Sequence, residues 1–265
     1  MLPNSIRKLS CNPVIRSVGA WLHINHLGRR VYCWLLSSGG VLEVSCLGVE
    51  ASFKTNSTKQ LAFVDYILTT EREFIEAALS DLREGDTFLD VGSHYGIFSI
   101  LASKLVGSKG RVIAVEPHPG ALQVLRENIA INGCHNLQLL SVAFSRATGA
   151  ISLAFNENGA GPQSATDPEC AVHTVQGVAG DEALQSVPVP AAAKIDVEGQ
   201  EYAVLMGLKR TLSNECCRRL CLEIHPSLLP PDIDQDTIRA FVRDCGFQIL
   251  SESVRSLTVH LVAGR

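Results

Sequence analysis

The chain has 265 residues, of which 46% are hydrophobic and 19% charged, with 21 Gly and 11 Pro; a sequence of this make-up buries a core and is neither disordered nor collagen-like. A formal charge of −4 argues against a surface that grips nucleic acid throughout, because neutralising phosphates needs clustered Lys and Arg. No run of about 18 apolar residues is present, so a membrane-spanning helix is not expected.

Residues 1 to 40 carry Arg7, Lys8, Arg16, Arg29 and Arg30 and no acidic side chain, so the acidic excess lies beyond residue 40. Between residues 12 and 36, Val14, Ile15, Val18, Trp21, Leu22, Ile24 and Leu27 recur at spacings compatible with one helical face. Such a basic arm can make peripheral contact with an anionic membrane or a partner. Its apolar face nevertheless has the ordinary size of a helix packed on a domain, and that reading is preferred. Val31 to Leu42 is too short to span a bilayer and reads as a strand entering the Gly39-Gly40 turn. Val41 to Phe63 is short-patterned and β-like. Residues 1 to 69 therefore form an N-terminal arm and β extension.

Thr70-Glu71-Arg72-Glu73 reads as a helix start with acidic side chains in its first turn; Phe74, Ile75, Ala78 and Leu79 supply the apolar face, and Gly85 ends it. Strands and helices then alternate: strand Thr87 to Val91, helix Ile97 to Leu105, strand Arg111 to Val115, helix Ala121 to Asn132, strands Leu137 to Ala143 and Ile151 to Phe155. A long loop, Asn156 to Asp167, precedes strand Val172 to Val178. The second half continues with strand Ala193 to Val197, helix Glu201 to Leu212, strand Arg219 to Ile224, helix Asp234 to Cys245, and strands Phe247 to Ser253 and Leu257 to Ala263. This alternation predicts an α/β fold, a doubly wound, mostly parallel sheet with helices on both faces. Only Val254, Arg255 and Ser256 separate the last two strands, which must pair antiparallel, since a parallel crossover needs a dozen or more residues.

Nine cysteines with no Cys-x-x-Cys pair signal neither a redox centre nor a zinc ribbon. Reduced thiols and a cytoplasmic location are expected, with Cys216, Cys217 and Cys221 acting as small buried hydrophobes.

The densest chemistry is in Asp90-Val91-Gly92-Ser93-His94-Tyr95-Gly96, where the first parallel strand meets its helix. Gly92 permits a tight turn, and Gly96 permits close approach of a ligand or of the helix to the strand. Glu116 stands twenty residues beyond Gly96 at the end of the next strand, where a carboxylate can accept both hydroxyls of a ribose. The Gly-x-x-x-Gly spacing departs from the pyrophosphate fingerprint, and Asp90 would repel phosphates. A cationic or zwitterionic nucleoside fits better, and S-adenosylmethionine is such a molecule. At the carboxyl edge of the later strands, Asp196, Glu198 and His225 are the candidates for removing a proton from an acceptor. Asp196 leads, and His225 either serves as base or orients one. The competing structural reading for Asp196 and Glu198 is capping of the following helix and a salt bridge to Lys194. Asp196 with Glu223 offers only two carboxylates for Mg²⁺, and no metal is expected.

Leu89-Asp90-Val91-Gly92-Ser93-His94-Tyr95-Gly96, Val115-Glu116-Pro117, Asn128 with Asn132, Lys194-Ile195-Asp196-Val197-Glu198-Gly199-Gln200-Glu201 and Leu222-Glu223-Ile224-His225-Pro226 together resemble the FkbM family of S-adenosylmethionine-dependent methyltransferases, from about Thr70 to the C-terminus. The resemblance implies a class I methyltransferase domain over residues 70 to 265, with a Rossmann-like seven-stranded sheet carrying an antiparallel C-terminal strand. It also implies O-methylation of a hydroxyl on a sugar, a glycosylated compound or a polyketide, so that the partner is a small-molecule or glycan acceptor. It assigns Asp90, Gly92 and Gly96 to the methionine end of the cofactor and Glu116 to its ribose, with Pro117 and His118 flanking the adenine. Ser93, His94 and Tyr95 lie within this cofactor loop, where His94 and Tyr95 can gate the site. Asp181 resembles the family's Leu-Asp, with Gly180 in place of the apolar residue. Two other classes fit the residues less well. A nucleotide-dependent oxidoreductase would need the pyrophosphate loop that is missing, and a non-catalytic binding module would be expected to have lost Asp90 or Glu116.

Overall fold

The computed structural model describes residues 40–156, 170–255 and 257–265. The basic arm, the beginning of the strand expected from Val31 and most of the loop after Asn156 lie outside the described residues. The chain divides into two compact units, one ending at Arg72 and one running from Glu73 to Arg265.

In the first unit, β1 (Val41–Cys46) and β2 (Val49–Lys54) form an antiparallel hairpin whose register pairs Cys46 with Val49. Leu47 at φ 51° and Gly48 at φ 78° make the turn; positive φ at both central residues matches the twist of the flanking strands. The β-like reading to Phe63 does not hold beyond the hairpin, because α1 (Thr58–Thr70) follows. Ser57 starts it, its Oγ accepting the Gln60 N–H at 3.1 Å. Ser57-Thr58-Lys59-Gln60 has the Ser-x-x-Gln form of a capped helix start, and that local signal wins.

At the boundary of the second unit α2 (Arg72–Leu79) begins, and it buries Phe74, Ile75, Ala78 and Leu79 as the pattern predicts. It continues through β3 (Thr87–Val91), α3 (Ile97–Val106), β4 (Arg111–Val115), α4 (Pro119–Asn132), β5 (Leu137–Leu140), β6 (Ala143–Ser145), β7 (Gly149–Phe155), β8 (Ala171–Ala179) and α5 (Gly180–Ala183). Then come β9 (Ala192–Asp196), α6 (Glu201–Gly207), α7 (Lys209–Leu212), β10 (Arg219–Ile224), α8 (Gln235–Asp244), β11 (Gln248–Arg255) and β12 (Thr258–Gly264).

Seven strands form one sheet in the order β11-β12-β10-β9-β3-β4-β5. Strands β10, β9, β3, β4 and β5 are mutually parallel. The reversed C-terminal strand is β12, antiparallel to both β10 and β11, so it is inserted inside the sheet and not at its edge. The segment Leu137 to Ala143 is not one strand. It breaks after Leu140, and β6, β8 and β7 form a separate three-stranded sheet.

The two-residue period of the strands sorts the core into layers. Leu89, Val91, Ile113, Ile195 and Leu222 pack with Val204 and Leu205 of α6, Leu212 of α7, and Ile238 and Val242 of α8. The alternate positions Asp90 and Lys194 turn the other way, toward Ser99 and Phe98 of α3. Each large aliphatic side chain so buried is worth about 1.5–3 kcal/mol, and both helical layers are needed to cover the strands.

The helix expected from Glu201 to Leu212 breaks at Leu208 into α6 and α7. At Gly207 an added Cβ would lie 2.0 Å from the Ser145 carbonyl oxygen, so only glycine admits β6 here. Asp181 starts α7: its Oδ2 accepts the Arg210 N–H at 2.8 Å, and its Oδ1 accepts the Thr211 N–H at 2.9 Å. Its neighbour Gly180 has no room for a side chain, since a Cβ would meet Leu208 at 2.5 Å. That crowding is a physical reason for glycine at this position.

Candidate active site

The loop after β3 is pinned on all sides. Gly92 (φ 79°) and Gly96 (φ 82°) bracket it. The Gly92 and Ser93 N–H groups both donate to the Val115 carbonyl, at 2.9 and 3.1 Å. An added Cβ at Gly92 would lie 1.8 Å from the Asp196 carbonyl oxygen, and one at Gly96 would lie 2.2 Å from Leu125. Both glycines therefore serve close packing within the chain: Gly92 seats the β3 loop on the end of β9, and Gly96 seats α3 on α4. His94, at φ 47°, donates its N–H to Glu116 Oε2 at 2.8 Å. The Tyr95 carbonyl accepts from the buried Asn128 amide at 2.8 Å, and the His94 and Tyr95 rings lie 3.9 Å apart.

Glu116 closes β4 with a buried carboxylate whose second oxygen accepts the His118 N–H at 2.8 Å. Burial pushes its carboxyl up to about 7 against the lowering effect of those two N–H donors. His118 is the N-cap of α4, its Nδ1 accepting the Ala121 N–H at 3.1 Å. Its ring meets Phe155 edge-on at 4.6 Å, and Phe155 in turn stacks on His173 at 4.7 Å.

Beneath the loop lies a buried charge cluster. Register places Lys194 directly opposite Asp90, and Lys194 Nζ lies 3.6 Å from Asp90 Oδ1, 3.1 Å from Asp196 Oδ2 and 2.9 Å from the Gly92 carbonyl to which it donates. Burial alone would push the ammonium down, but Asp196 and Asp90 raise it overall. Asp90, whose Oδ2 accepts from Ser99 at 2.5 Å, is raised by burial despite Lys194. Burial acts to raise Asp196 as well, and there Lys194 and then His225 outweigh it and hold the carboxyl low.

The second loop carries Glu198 at φ 51° and Gly199 at φ 94°. A left-handed non-glycine residue is strained, and such strain concentrates at functional sites. His225, just past β10, brings three elements together. Its Nδ1 sits 2.8 Å from Glu201 Oε1, and its Nε2 faces Glu198 Oε2 at 3.3 Å, Glu223 Oε1 at 3.9 Å and Asp196 Oδ1 at 4.0 Å. Burial would lower this imidazole, but the bond to Glu201 and the charges of Asp196 and Glu198 carry it to about 10. Burial pushes Glu198 up to about 7 against the pull of His225.

The fold thus brings Asp196, Glu198 and His225 within 4.8 Å of one another. Asp90, Gly92, Ser93, His94, Tyr95, Gly96, Glu116, Pro117 and His118 gather along the adjoining strand ends. The salt bridge expected in the structural reading of Asp196 is present. The capping role is not, since α6 has Gln200 at its N-cap with no side-chain bond. Sequence reasoning passed over Ser99 and Glu201 and gave Glu223 a minor part. Ser99 and Glu201 reach the cluster through packing and not through spacing, and Lys194 owes its place between two carboxylates to register. Cys217 and Cys221 are buried as expected, but Cys216 is exposed.

Residues 90–249 match the family described as the Methyltransferase FkbM domain. Hexuronic acid methyltransferase AglP of Haloferax volcanii is 30% identical over 195 residues, covering 73% of this chain and 77% of that protein. A probable cobalt-precorrin-6B C(15)-methyltransferase (decarboxylating) of Sulfolobus acidocaldarius is 40% identical over 73 residues, or 27% of this chain and 38% of that one. Among solved structures, precorrin-6y C5,15-methyltransferase from Geobacter metallireducens superposes with a TM-score of 0.46 at 16% identity, covering 73% of this chain and 85% of that chain.

Proposed function

The chain belongs to the FkbM family of methyltransferases, and from that premise we propose that this S-adenosylmethionine-dependent enzyme O-methylates a sugar hydroxyl, uronic acids being the first acceptors to test. The observation that carries the reading is the meeting of the two loops: Gly92 touches the backbone of Asp196, and beside that contact Asp196, Glu198 and His225 converge. A donor held along the β3 and β4 loops and a hydroxyl held at the triad would therefore be neighbours. The hexuronic acid relative supports the choice of acceptor.

The residues present suit the cofactor. Each Glu116 oxygen accepts one backbone N–H, and a carboxylate oxygen keeps a further lone pair for a ribose hydroxyl. The surplus of carboxylates around Lys194 suits a positively charged ligand. S-adenosylmethionine supplies an electrophilic methyl group on a sulfonium. The chain's role is to hold the acceptor oxygen in line and to take its proton, by Asp196 or Glu198, as the carbon–oxygen bond forms and the carbon–sulfur pair stays on sulfur. His225 sets the orientation of Glu198.

The test is product mass from labelled S-adenosylmethionine with a panel of uronic acids and neutral sugars, using the natural chain and Asp196→Asn. The expected result is a singly methylated uronic acid, with turnover falling about 10²-fold in the variant while cofactor affinity is little changed. A panel with no methylated sugar overturns the acceptor reading, and near-normal turnover in the variant overturns the role of Asp196.

A further inference from the structure

We propose that Asp196, Glu198 and His225 together bind a first-row divalent cation of the Mn²⁺ kind. Read strand by strand, the sequence pairs only Asp196 with Glu223; the fold adds a strained loop residue and an imidazole. One oxygen of each carboxylate and Nε2 of His225 lie within 4.8 Å of one another, with Glu198 Oε2 at 3.3 Å and Asp196 Oδ1 at 4.0 Å from Nε2. A cation with bonds of about 2.1 Å asks for adjacent ligand atoms roughly 3 Å apart, which small side-chain rotations reach.

Three further features favour a cation. His225 presents Nε2 inward while the fully buried Glu201 holds Nδ1 at 2.8 Å; metal-binding histidines are habitually oriented by such a carboxylate on the other nitrogen. Asp196 is divided between tasks, Oδ2 facing Lys194 and Oδ1 facing the imidazole, so the lysine does not consume the ligand atom. The cluster is also rich in carboxylates: Asp90 and Asp196 face Lys194, Asp196, Glu198, Glu201 and Glu223 gather around the one imidazole of His225, and Glu201 Oε2 is buried with no hydrogen-bond partner. Buried charges require pairing or a metal. A nitrogen donor among oxygens favours a first-row transition cation over Mg²⁺ or Ca²⁺.

The role of the cation, though not its binding, rests on the O-methyltransferase reading. A divalent cation held by Asp196, Glu198 and His225 would supply positive charge to stabilise the developing alkoxide, and the second oxygen of Glu198 would be left to receive the proton.

The test is titration of the chelator-treated full-length chain with Mn²⁺ alone, free Mn²⁺ being read from its six-line electron paramagnetic resonance signal. Calorimetry with S-adenosylhomocysteine is run in parallel. One equivalent of Mn²⁺ should be taken up, with affinity falling about tenfold or more in Glu198→Gln and in His225→Gln, and about 10- to 100-fold in Glu201→Gln, which weakens the group that orients His225 while keeping an amide oxygen for the Gly199 N–H. Affinity for S-adenosylhomocysteine should hold in all three. Should His225→Gln fail to fold, Glu198→Gln decides, its side chain being 38% exposed. No Mn²⁺ uptake by a chain that binds S-adenosylhomocysteine overturns the cation site and leaves the methyltransferase reading intact; uptake without S-adenosylhomocysteine binding does the reverse. Uptake unchanged in the variants puts the cation elsewhere and overturns the proposal.

Discussion

Removing Lys194 would strand Asp90 in a place with almost no water, the lysine side chain being 4% and that of Asp90 1% exposed, and would take the counter-ion from the more exposed Asp196. Breaking one member of a buried ion pair costs about 3–5 kcal/mol, so Lys194→Met should lower the urea midpoint accordingly, and a loss below about 1 kcal/mol would show that Asp90 protonates without strain. Glu116 yields a prediction in pH. Only its ionised form can accept both hydroxyls of a ribose, and burial holds its carboxyl up at about 7. Affinity for S-adenosylhomocysteine should therefore rise as pH climbs through neutrality, by about tenfold between pH 6 and 8 if the group titrates fully across that range. In Glu116→Gln the affinity should be weaker and flat with pH; a natural chain equally flat would place the ribose elsewhere.

Among the elements, the contact between the β3 and β9 loops decides whether donor and acceptor can meet. Gly92 and Gly85 both have left-handed backbones, at φ 79° and 88°. A Cβ at Gly85 meets nothing within 4 Å, whereas one at Gly92 runs into the Asp196 carbonyl. Gly85→Ala should cost only the left-handed strain, about 1–2 kcal/mol. Gly92→Ala must also push the ends of β3 and β9 apart, adding about 1–3 kcal/mol, and should depress turnover even where the variant folds. Equal stabilities in calorimetric melts would contradict the close approach. The same scale explains what was legible in the chain. The β3 and β4 segments are legible because burial of both faces makes each a short, nearly continuous apolar run, while near the α6 to α7 break Gly207 meets Ser145, a residue far back in the chain that no local pattern announces.

At the scale of the whole molecule, every residue proposed for cofactor or acceptor lies in the unit from Glu73 to Arg265. Deleting residues 1–70 should accordingly leave affinity for S-adenosylhomocysteine within a few-fold, measured by calorimetry on the soluble fragment; a fragment that folds yet does not bind would show that the first unit completes the site. No helix among the described residues is long and apolar enough to cross a membrane. By itself the sequence determined the α/β alternation, the reversed last strand, the glycine loop and the acidic end of β4, because these depend on short-range period, turn chemistry and chain connectivity. It also singled out Asp196, Glu198 and His225 one by one. Only the tertiary structure decided that β12 slips between β10 and β11, that Lys194 is clasped by Asp90 and Asp196, and that Glu201 orients His225 toward Glu198. Those facts follow from strand register and from the packing of distant side chains, which act through space between residues that are far apart along the chain.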